Sequence, residues 1–246
     1  MPERSLRQII ATGAALASLM LLAGGGLFGL PFQSGVNSLT AEEKEEGWRL
    51  LFDGESFEGW RGFKSQEVPQ AWKVEEGSLA YVPGQDDRGD IMTQEEFQNF
   101  ELRLQWKISP GGNSGIFFHV SPDADWSWET GPEMQVLDNA GHADGAKPET
   151  SAGSNYALHA PSSDVTRPVG EWNQVRLMVD GPHVEHWLNG VKIVEYELWS
   201  EDWKQRVQAS KFKDMKGYGK ARRGHIVLQD HGDKVWFRDI KIRVLD

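Results

Sequence analysis

The segment Glu101-Leu-Arg-Leu-Gln-Trp-Lys-Ile108 indicates the architecture of this chain most clearly, because every second residue in it is apolar. Leu102, Leu104 and Trp106 fall on one face of an extended chain, together with Ile108, while charged and amide side chains occupy the other. Successive side chains of a β-strand point to opposite faces of its sheet. The alternation therefore predicts a half-buried strand.

The same alternation recurs on both sides of an Asn-Gly dipeptide. Runs 175–179 and 184–188 alternate, and Asn189-Gly190 then leads into the apolar run 191–196. Asn-Gly between two such runs is a strong signal for a β-hairpin. Further strands are predicted at Trp48–Phe52, Trp72–Glu75, Ser78–Val82, Gly115–Val120, Glu133–Leu137, Ile226–Gln229 and Ile240–Val244. The segment Leu198–Lys213 is predicted to be helical.

Short strands separated by Gly, Pro and Asn turns favour two stacked antiparallel sheets, in an all-β sandwich of the jelly-roll or lectin type. The Trp positions show no recurring blade motif, which argues against a propeller. All-β sandwiches commonly fill a chain of this length, 246 residues, as one unit. We expect one folded domain at 47–246, preceded by a linker or short exposed helix at 33–46.

The charge balance limits the classes of partner. The formal net charge is −11, from 37 acidic and 26 basic residues, which would repel nucleic acid. The chain has no cysteine, which excludes disulfides, Cys-ligated metals and an acylated lipoprotein cysteine. Its 11 Trp and 11 Phe can fill a core and still leave aromatic rings for stacking on a sugar.

The N-terminus has the pattern of an export segment. Arg4 and Arg7 precede an apolar stretch from Ile9 to Leu22, and the next charged residue is Glu42. This order is typical of a cleaved signal peptide, although the apolar character extends far enough, through residue 32, for an uncleaved membrane anchor. Basic residues stay on the cytoplasmic side, so both alternatives predict an extracytoplasmic domain that is periplasmic, secreted or membrane-anchored.

Four stretches carry a family resemblance. They are Leu51-Phe-Asp-Gly-Glu-Ser-Phe-Glu-Gly-Trp60, Asn113-Ser-Gly-Ile-Phe-Phe-His119, Gly131-Pro-Glu-Met-Gln-Val-Leu-Asp-Asn139 and Ile226-Val-Leu-Gln-Asp-His-Gly232. Their order and spacing resemble the 3-keto-disaccharide hydrolase domain family from residue 47 to the C-terminus. The resemblance implies a concanavalin A-like sandwich and action on sugars oxidised at carbon 3, by hydrolysis or elimination. His119 departs from the pattern, because many relatives are expected to have Arg there.

Strand parity predicts where polar groups of a site would meet. Within Glu133–Leu137, Glu133 and Gln135 share one face, and Met134 and Val136 share the other. Asp138, Asn139 and His142 follow at the strand end, and Gln229 and His231 share a parity on another strand. Retaining glycosidases need two carboxyl groups about 5 Å apart, which a strand could supply at positions i and i+2. Position i+2 is Gln135, which weakens an ordinary glycosidase interpretation.

A 3-keto sugar needs different groups, because its ketone acidifies the hydrogen at carbon 2. The site then requires a base for that hydrogen, an electrophile for the enolate oxygen and an acid for the leaving group. We expect His231 or Asp138 to act as the base and Glu133 as the acid, with Gln135, Asn139 and Gln229 positioning hydroxyls. A divalent metal held by His142, His231 and a carboxylate is one candidate electrophile.

The remaining candidates for substrate binding are Asn113, His119, Tyr156, Trp126 and Trp128. The two indoles lie in the loop 122–132 and could form a sugar platform or cap the sandwich. Asp138 with Asn139, and His231 in Asp230-His-Gly-Asp233, could instead be turn residues. A non-catalytic glycan-binding module is the alternative function, because the same concave sheet and aromatic rings would serve it.

Overall fold

The computed structural model describes residues 35–246, in which two antiparallel sheets are connected by loops and short helices. The helices are α1 Ala41–Glu45 and α2 Glu201–Ala209, with single 3-10 turns at Ser127–Glu129, Ala143–Ala146 and Pro148–Thr150. The strands are β1 Arg49–Leu50, β2 Trp60–Gly62, β3 Trp72–Glu75, β4 Ser78–Tyr81, β5 Ile91–Thr93, β6 Phe100–Ile108, β7 Asn113–Val120, β8 Glu133–Leu137, β9 Asn173–Asp180, β10 His183–Leu188, β11 Val191–Glu197, β12 His225–Leu228 and β13 Val235–Val244.

The larger sheet has the strand order β11-β10-β9-β6-β13-β4-β3, and β1 pairs with β13. The smaller sheet has the order β2-β5-β12-β7-β8. Neighbouring strands in both sheets run antiparallel, so the predicted all-β, two-sheet architecture is confirmed. The strand β6, with the clearest alternation, lies inside the larger sheet between β9 and β13, where both of its edges are paired.

The core contains the apolar faces of both sheets. Leu102 and Trp106 of β6 join Met134 and Val136 of β8 in one buried cluster, and none of the four is more than 1% exposed. Burying a large apolar side chain contributes about 1.5–3 kcal/mol, so this interior is the main source of stability. The face of β8 that carries Met134 is thus used for packing, which leaves Glu133 and Gln135 on the opposite face.

Two strands of the smaller sheet were not predicted. β2 and β5 have three residues each, too few for an alternating pattern to be visible in the sequence. The predicted helix is also shorter than expected. It begins after Ser200, whose hydroxyl accepts a hydrogen bond from the Trp203 amide at 3.1 Å, and it ends before Ser210, where the backbone is extended.

The predicted linker contributes contacts to the domain. Asn37 accepts a hydrogen bond from the Asp239 amide at 2.7 Å and donates one to the Gly77 carbonyl at 2.8 Å. Glu43 of α1 forms an ion pair with Lys241 of β13 at 2.5 Å. The predicted export segment lies outside the described residues. Within 35–246, no helix combines the length and apolar character needed to cross a membrane.

Candidate active site

The face of the smaller sheet opposite the core carries a cavity of about 400 Å³. Glu133 and Gln135 project into it from β8, and Asn113 comes from the start of β7. The cavity is lined by Asn113, Trp128, Glu133, Gln135, Tyr156, Lys211, Met215, Gln229 and His231. The structure therefore brings together most of the site residues predicted from sequence, and adds Lys211 and Met215.

Glu133 fits against β7 because residue 115 has no side chain. Gln135 pairs with Gly115 and Glu133 pairs with Phe117 across the two strands. A Cβ atom placed on Gly115 would lie 2.2 Å from Oε1 of Glu133, closer than atoms can approach. The glycine in Asn113-Ser-Gly thus opens the space that the carboxyl group occupies.

The Glu133 carboxyl group is almost completely withdrawn from solvent, with 6% of the residue exposed. Burial raises the pKa of Glu133 to about 8, against the opposing effect of Lys211, and the charges of Asp90 and Asp144 raise it further. With its amide nitrogen turned toward β7, Gln135 donates hydrogen bonds to the Ser114 carbonyl at 2.9 Å and to Oε1 of Glu133 at 3.0 Å. At neutral pH the carboxyl group is mostly protonated and can donate a proton.

Lys211 lies across the cavity on the segment that follows α2. Its Nζ is 4.2 Å from the ring centre of Tyr156, a cation–π contact. Burial lowers the pKa of Lys211, while the charges of Glu133 and Asp144 act in the opposite direction. The Tyr156 hydroxyl donates a hydrogen bond to Oδ2 of Asp144 at 2.9 Å, and burial raises the pKa of that phenol, which keeps it neutral.

His231 lies at the rim, where 46% of its side chain is exposed. Its Nδ1 is 3.8 Å from Oδ2 of Asp233, and that oxygen accepts a hydrogen bond from the Asn113 amide at 3.2 Å. The ring centre of His142 lies 6.0 Å from that of His231, edge to face. Asp233 was not predicted, because an Asp after a His-Gly turn has no distinguishing pattern.

The predicted metal ligands do not form a complete ligand set. Nδ1 of His142 already accepts a hydrogen bond from the Asp144 amide at 3.1 Å. Within residues 35–246, the group of three His, Asp or Glu side chains with ligand atoms inside 4.8 Å of one another is His183, Glu185 and Glu195, on β10 and β11. Nζ of Lys192 lies 3.1 Å from Oε1 of Glu185 and 2.6 Å from Oε2 of Glu195. The two carboxylates of this group are therefore already paired with an ammonium group.

Asp138 and Asn139 are not brought to the cavity of Glu133. The Asp138 carboxylate accepts hydrogen bonds from the amides of Gly111 at 2.7 Å and Ala140 at 3.1 Å, as a turn residue does. Asn139 donates to Asp164 at 3.0 Å and accepts from the Ala152 amide at 2.8 Å. Both residues line a separate cavity of about 500 Å³. The predicted convergence therefore holds for Glu133 and His231 but does not extend to Asp138.

His119 and the two loop tryptophans have different environments. His119 is 2% exposed, and its Nε2 bonds the Gln98 carbonyl at 2.7 Å, so it is placed in the interior and not at the cavity. Trp128 lines the cavity of Glu133, whereas Trp126 is 61% exposed beside it. Trp128 also packs against a buried cluster of the smaller sheet, so the placement of the two indoles is compatible with both predicted roles, a sugar platform and a cap. The departure at His119 lies outside the cavity.

Comparisons with known proteins agree with this architecture. A curated relative, the 3-keto-disaccharide hydrolase of Bacteroides thetaiotaomicron, is 37% identical over 240 residues, which cover 86% of this chain and 83% of the relative. A crystal structure from Parabacteroides distasonis, named provisionally as a glycosyl hydrolase, superimposes with a TM-score of 0.80 at 38% identity, over 86% of this chain and all of that one. A second structure from the same species, named in the same way, has a TM-score of 0.65 at 29% identity, over 80% of this chain and 99% of that one.

The match extends over the whole sandwich. Residues 47–243 fit the family described as the 3-keto-alpha-glucoside-1,2-lyase-like domain, a range that begins just before β1 and ends in β13. The four stretches that carry the resemblance in the sequence all lie within it. This chain belongs to the 3-keto-alpha-glucoside-1,2-lyase-like domain family.

Proposed function

We propose that this protein is an enzyme that cleaves 3-keto-glycosides, with 3-keto-disaccharides among its substrates, by elimination followed by hydration. The observation that carries the proposal is the buried Glu133, a carboxyl group protonated at neutral pH, in one cavity with Lys211 and His231. The relative named 3-keto-disaccharide hydrolase supports the same substrate class.

In the first half of the reaction, a proton leaves carbon 2 of the oxidised sugar. His231 at the rim accepts this proton, and the C–H electron pair forms an enolate with the carbon 3 ketone. The Lys211 ammonium group stabilises the enolate oxygen, a role for which a metal ion was one candidate in the sequence analysis. A partly desolvated cation suits this role, because one side of it lies against the Tyr156 ring rather than in bulk water.

In the second half, the bond between carbon 1 and the leaving oxygen breaks. The enolate electrons form a carbon 1–carbon 2 double bond, and the leaving oxygen takes the Glu133 proton. Addition of water across that double bond gives the free 3-keto sugar, so the net change is hydrolysis. A glycosyl cation is not required, which agrees with Gln135 at the strand position where a second carboxyl group would lie.

Two amides and one unpaired oxygen are available for the hydroxyl groups of the substrate. Asn113 and Gln135 line the cavity beside Glu133. Oε1 of Gln229 is buried and has no hydrogen-bond partner in the described part of the chain. A buried acceptor without a partner costs about 1–3 kcal/mol, and a substrate hydroxyl would satisfy it.

The proposal is tested with a 3-keto-disaccharide and the matching unoxidised disaccharide, each with and without a chelator. We expect turnover of the oxidised substrate alone, and a slower rate when carbon 2 carries deuterium, because that bond breaks. Lys211→Met should reduce turnover by about 100-fold, whereas Lys213→Met, two residues away and outside the cavity lining, should not. Comparable rates on both disaccharides would overturn the mechanism, and binding without turnover would favour the glycan-binding module.

We also propose an extracytoplasmic location, supported by Arg4 and Arg7 before the apolar stretch at residues 9–22. Fractionation of cells that express the full chain should recover the domain outside the cytoplasm or attached to the membrane. Recovery of the intact chain in the cytoplasmic fraction would contradict this proposal.

A further inference from the structure

The outer face of the larger sheet, which points away from the core, separates its acids from part of its cations. Strand register places its outward side chains in rows that cross the strands. One row carries acids, because Glu101 of β6 and Glu185 of β10 both pair with Met178 of β9. Two rows toward the other end of β6 carry cations, amides and a tryptophan and, in the described strands, no carboxylate. Their members are Lys73, Trp236 and Lys107 in one row, and Arg238, Gln105 and Gln174 in the other.

The two central cations of these rows lie on indole rings. Nζ of Lys107 is 4.4 Å from the ring centre of Trp236 and 4.9 Å from that of Trp172. The guanidinium carbon of Arg238 is 3.9 Å from the ring centre of Trp172. A cation held against an indole has already lost part of its water and of its side-chain freedom, so it can bind an anion at a smaller further cost.

The charges of Lys107 and Arg238 are not compensated by acids. Their contacts are the indoles and Gln105, and among residues 35–246 neither forms an ion pair. Glu75, which lies on the same side of β3 as the first row, is already paired with Lys234 at 3.1 Å. Arg238 uses only Nε, which donates to Oε1 of Gln105 at 3.0 Å. Its terminal nitrogens therefore remain for a carboxylate, which a guanidinium group can bind through two hydrogen bonds.

A groove of about 310 Å³ continues this surface along β6 and β9. Its polar and aromatic lining includes Arg103, Gln105, Gln174, Arg176 and Trp187. Arg103 and Arg176 share the carboxylate of Glu101, and the one carboxylate that lines the groove, that of Asp239, lies 3.9 Å from Nζ of Lys241. Cations and neutral amides therefore alternate along both strands.

We propose that this face, from Lys107 and Arg238 into the groove, binds an extended polysaccharide whose sugar units carry carboxylate groups. The carboxylates would bond the two uncompensated cations, and the sugar hydroxyls would bond the amides of Gln105 and Gln174, because an amide offers both a donor and an acceptor. An extended chain fits a surface whose cations and amides are spread over several strands. The net charge of −11 repels such a chain from the rest of the protein.

An anionic membrane is the competing partner for a surface of cations and tryptophans. The indoles of Trp172 and Trp236 are only partly exposed and lie under Lys107 and Arg238, so neither projects from the sheet to enter a bilayer. The amides between the cations also match hydroxyl groups better than phosphates, which only accept hydrogen bonds. The surface lies on the sheet that does not carry Glu133, so the inference is independent of the proposed function.

The test measures binding of polygalacturonate by calorimetry, with methyl-esterified polygalacturonate as the same chain without its charges. We expect binding of the acidic polymer alone, weaker as salt concentration rises. Lys107→Gln combined with Arg238→Gln should weaken it by about 10-fold or more. Lys204→Gln combined with Arg222→Gln is the matched control, because it removes two charges outside the sheets, one of them 4.3 Å from the Trp199 ring centre. Equal binding of the two polymers, or equal losses in the two double variants, would overturn the proposal.

A single variant keeps the test valid if the double variant does not fold. Lys73 is exposed at the end of the first row, so Lys73→Gln leaves the indole contacts intact and should still weaken binding by about 3-fold. An unchanged affinity in this variant would contradict the participation of the row. Unfolding midpoints near that of the wild type identify the variants that are folded.

Two other polyanions separate the classes of partner. Polyglutamate carries carboxylates without hydroxyl groups and should bind at least about 10-fold more weakly than polygalacturonate. Vesicles of phosphatidylglycerol should not bind. Equal affinities for polyglutamate and polygalacturonate would overturn the choice of a polysaccharide, and binding of the vesicles without binding of polygalacturonate would assign the face to a membrane surface.

Discussion

Two buried glutamates, one in each sheet, have opposite electrostatic states. Glu133 of β8 and Glu101 of β6 both lie on strands and are 6% and 2% exposed. Burial acts to raise the pKa of both groups, since it disfavours the charged form. The difference arises from the cations that each carboxyl group contacts.

Glu101 is surrounded by three guanidinium groups on the outer face of the larger sheet. Its oxygens lie 2.7 Å from Arg176, 2.8 Å from Arg103 and 2.8 Å from Arg243. The hydrogen bonds from Arg176 and Arg103 outweigh burial and lower the pKa of Glu101 below its usual value. Glu101 is thus a structural residue that is ionised at neutral pH, and its three partners come from three different strands.

Glu133 has a lysine in the same cavity but no direct bond to a cation within the described residues. Its hydrogen-bond partner is the neutral amide of Gln135, and Asp90 and Asp144 add negative charge nearby. Burial therefore prevails, and the pKa rises to about 8. The contrast shows that burial raises the pKa of a carboxyl group only where ion pairs do not compensate for it.

The largest expected effect is on turnover in Glu133→Gln. Loss of the proton donor should lower kcat for a 3-keto-disaccharide by about 100-fold or more, and much less for a substrate with an activated aryl leaving group. The rates are compared under saturating substrate. Glu101→Gln is the matched control and should keep near-normal turnover in the folded fraction. Equal losses in the two variants would remove the distinction between the glutamates.

For stability, Glu101→Gln should be the more harmful of the two substitutions. Glu101→Gln leaves three arginines without their carboxylate, which should lower the free energy of unfolding by about 2 kcal/mol. This value is smaller than for a fully buried cluster, because the arginines are partly exposed and solvent screens their charges. Denaturant titration of both variants measures this. An unchanged midpoint for Glu101→Gln would show that the arginine cluster contributes little.

The pH dependence sharpens the comparison. Below its ordinary pKa of 4.5, Glu133 is protonated in both the folded and the unfolded chain. Between about 4.5 and about 8 the unfolded chain loses this proton while the folded chain keeps it, so the wild type loses stability relative to Glu133→Gln as pH rises. At about 1.4 kcal/mol per pKa unit, we expect a difference on the order of 4 kcal/mol at pH 8. Parallel stability curves for the two proteins would contradict the raised pKa.

Activity should follow the same titration. Turnover that depends on protonated Glu133 should fall as pH rises through about 8. In a pH series with an activated aryl leaving group, this alkaline limb should be weaker, because the acid is then less needed. An alkaline limb that is identical for both leaving groups would assign the titration to another residue.

The smallest effect is expected at Asp138. The Gly111 and Ala140 amides bond different oxygens of Asp138, so Asp138→Asn keeps an acceptor for only one of them. The substitution should cost about 1–3 kcal/mol of stability and change turnover by about 3-fold or less. His231→Ala, at the cavity rim, should lower turnover by about 100-fold. A loss of that size in Asp138→Asn would restore Asp138 as the base.

Which residues share a face of a strand follows from the sequence alone. Period-two alternation placed Leu102 and Trp106 inward, predicted β3 and β8 with their observed bounds, and put Glu133 and Gln135 on one side of β8. These predictions succeed because the side-chain direction along a strand depends on local geometry alone.

What covers each face, and which charges meet there, depends on the tertiary structure. Polar residues on the outer side of a strand are equally compatible with a solvated face, yet Glu101 and Glu133 are both buried, one under arginines and one beside Tyr156 and Lys211. Lys211, Asp90 and Asp233 come from segments far apart in the chain, and no pattern near them marks a site. The pKa of a buried group depends on its burial and on all the charges near it in the folded structure. Those charges come from residues far apart in the sequence, so only the tertiary structure determines them.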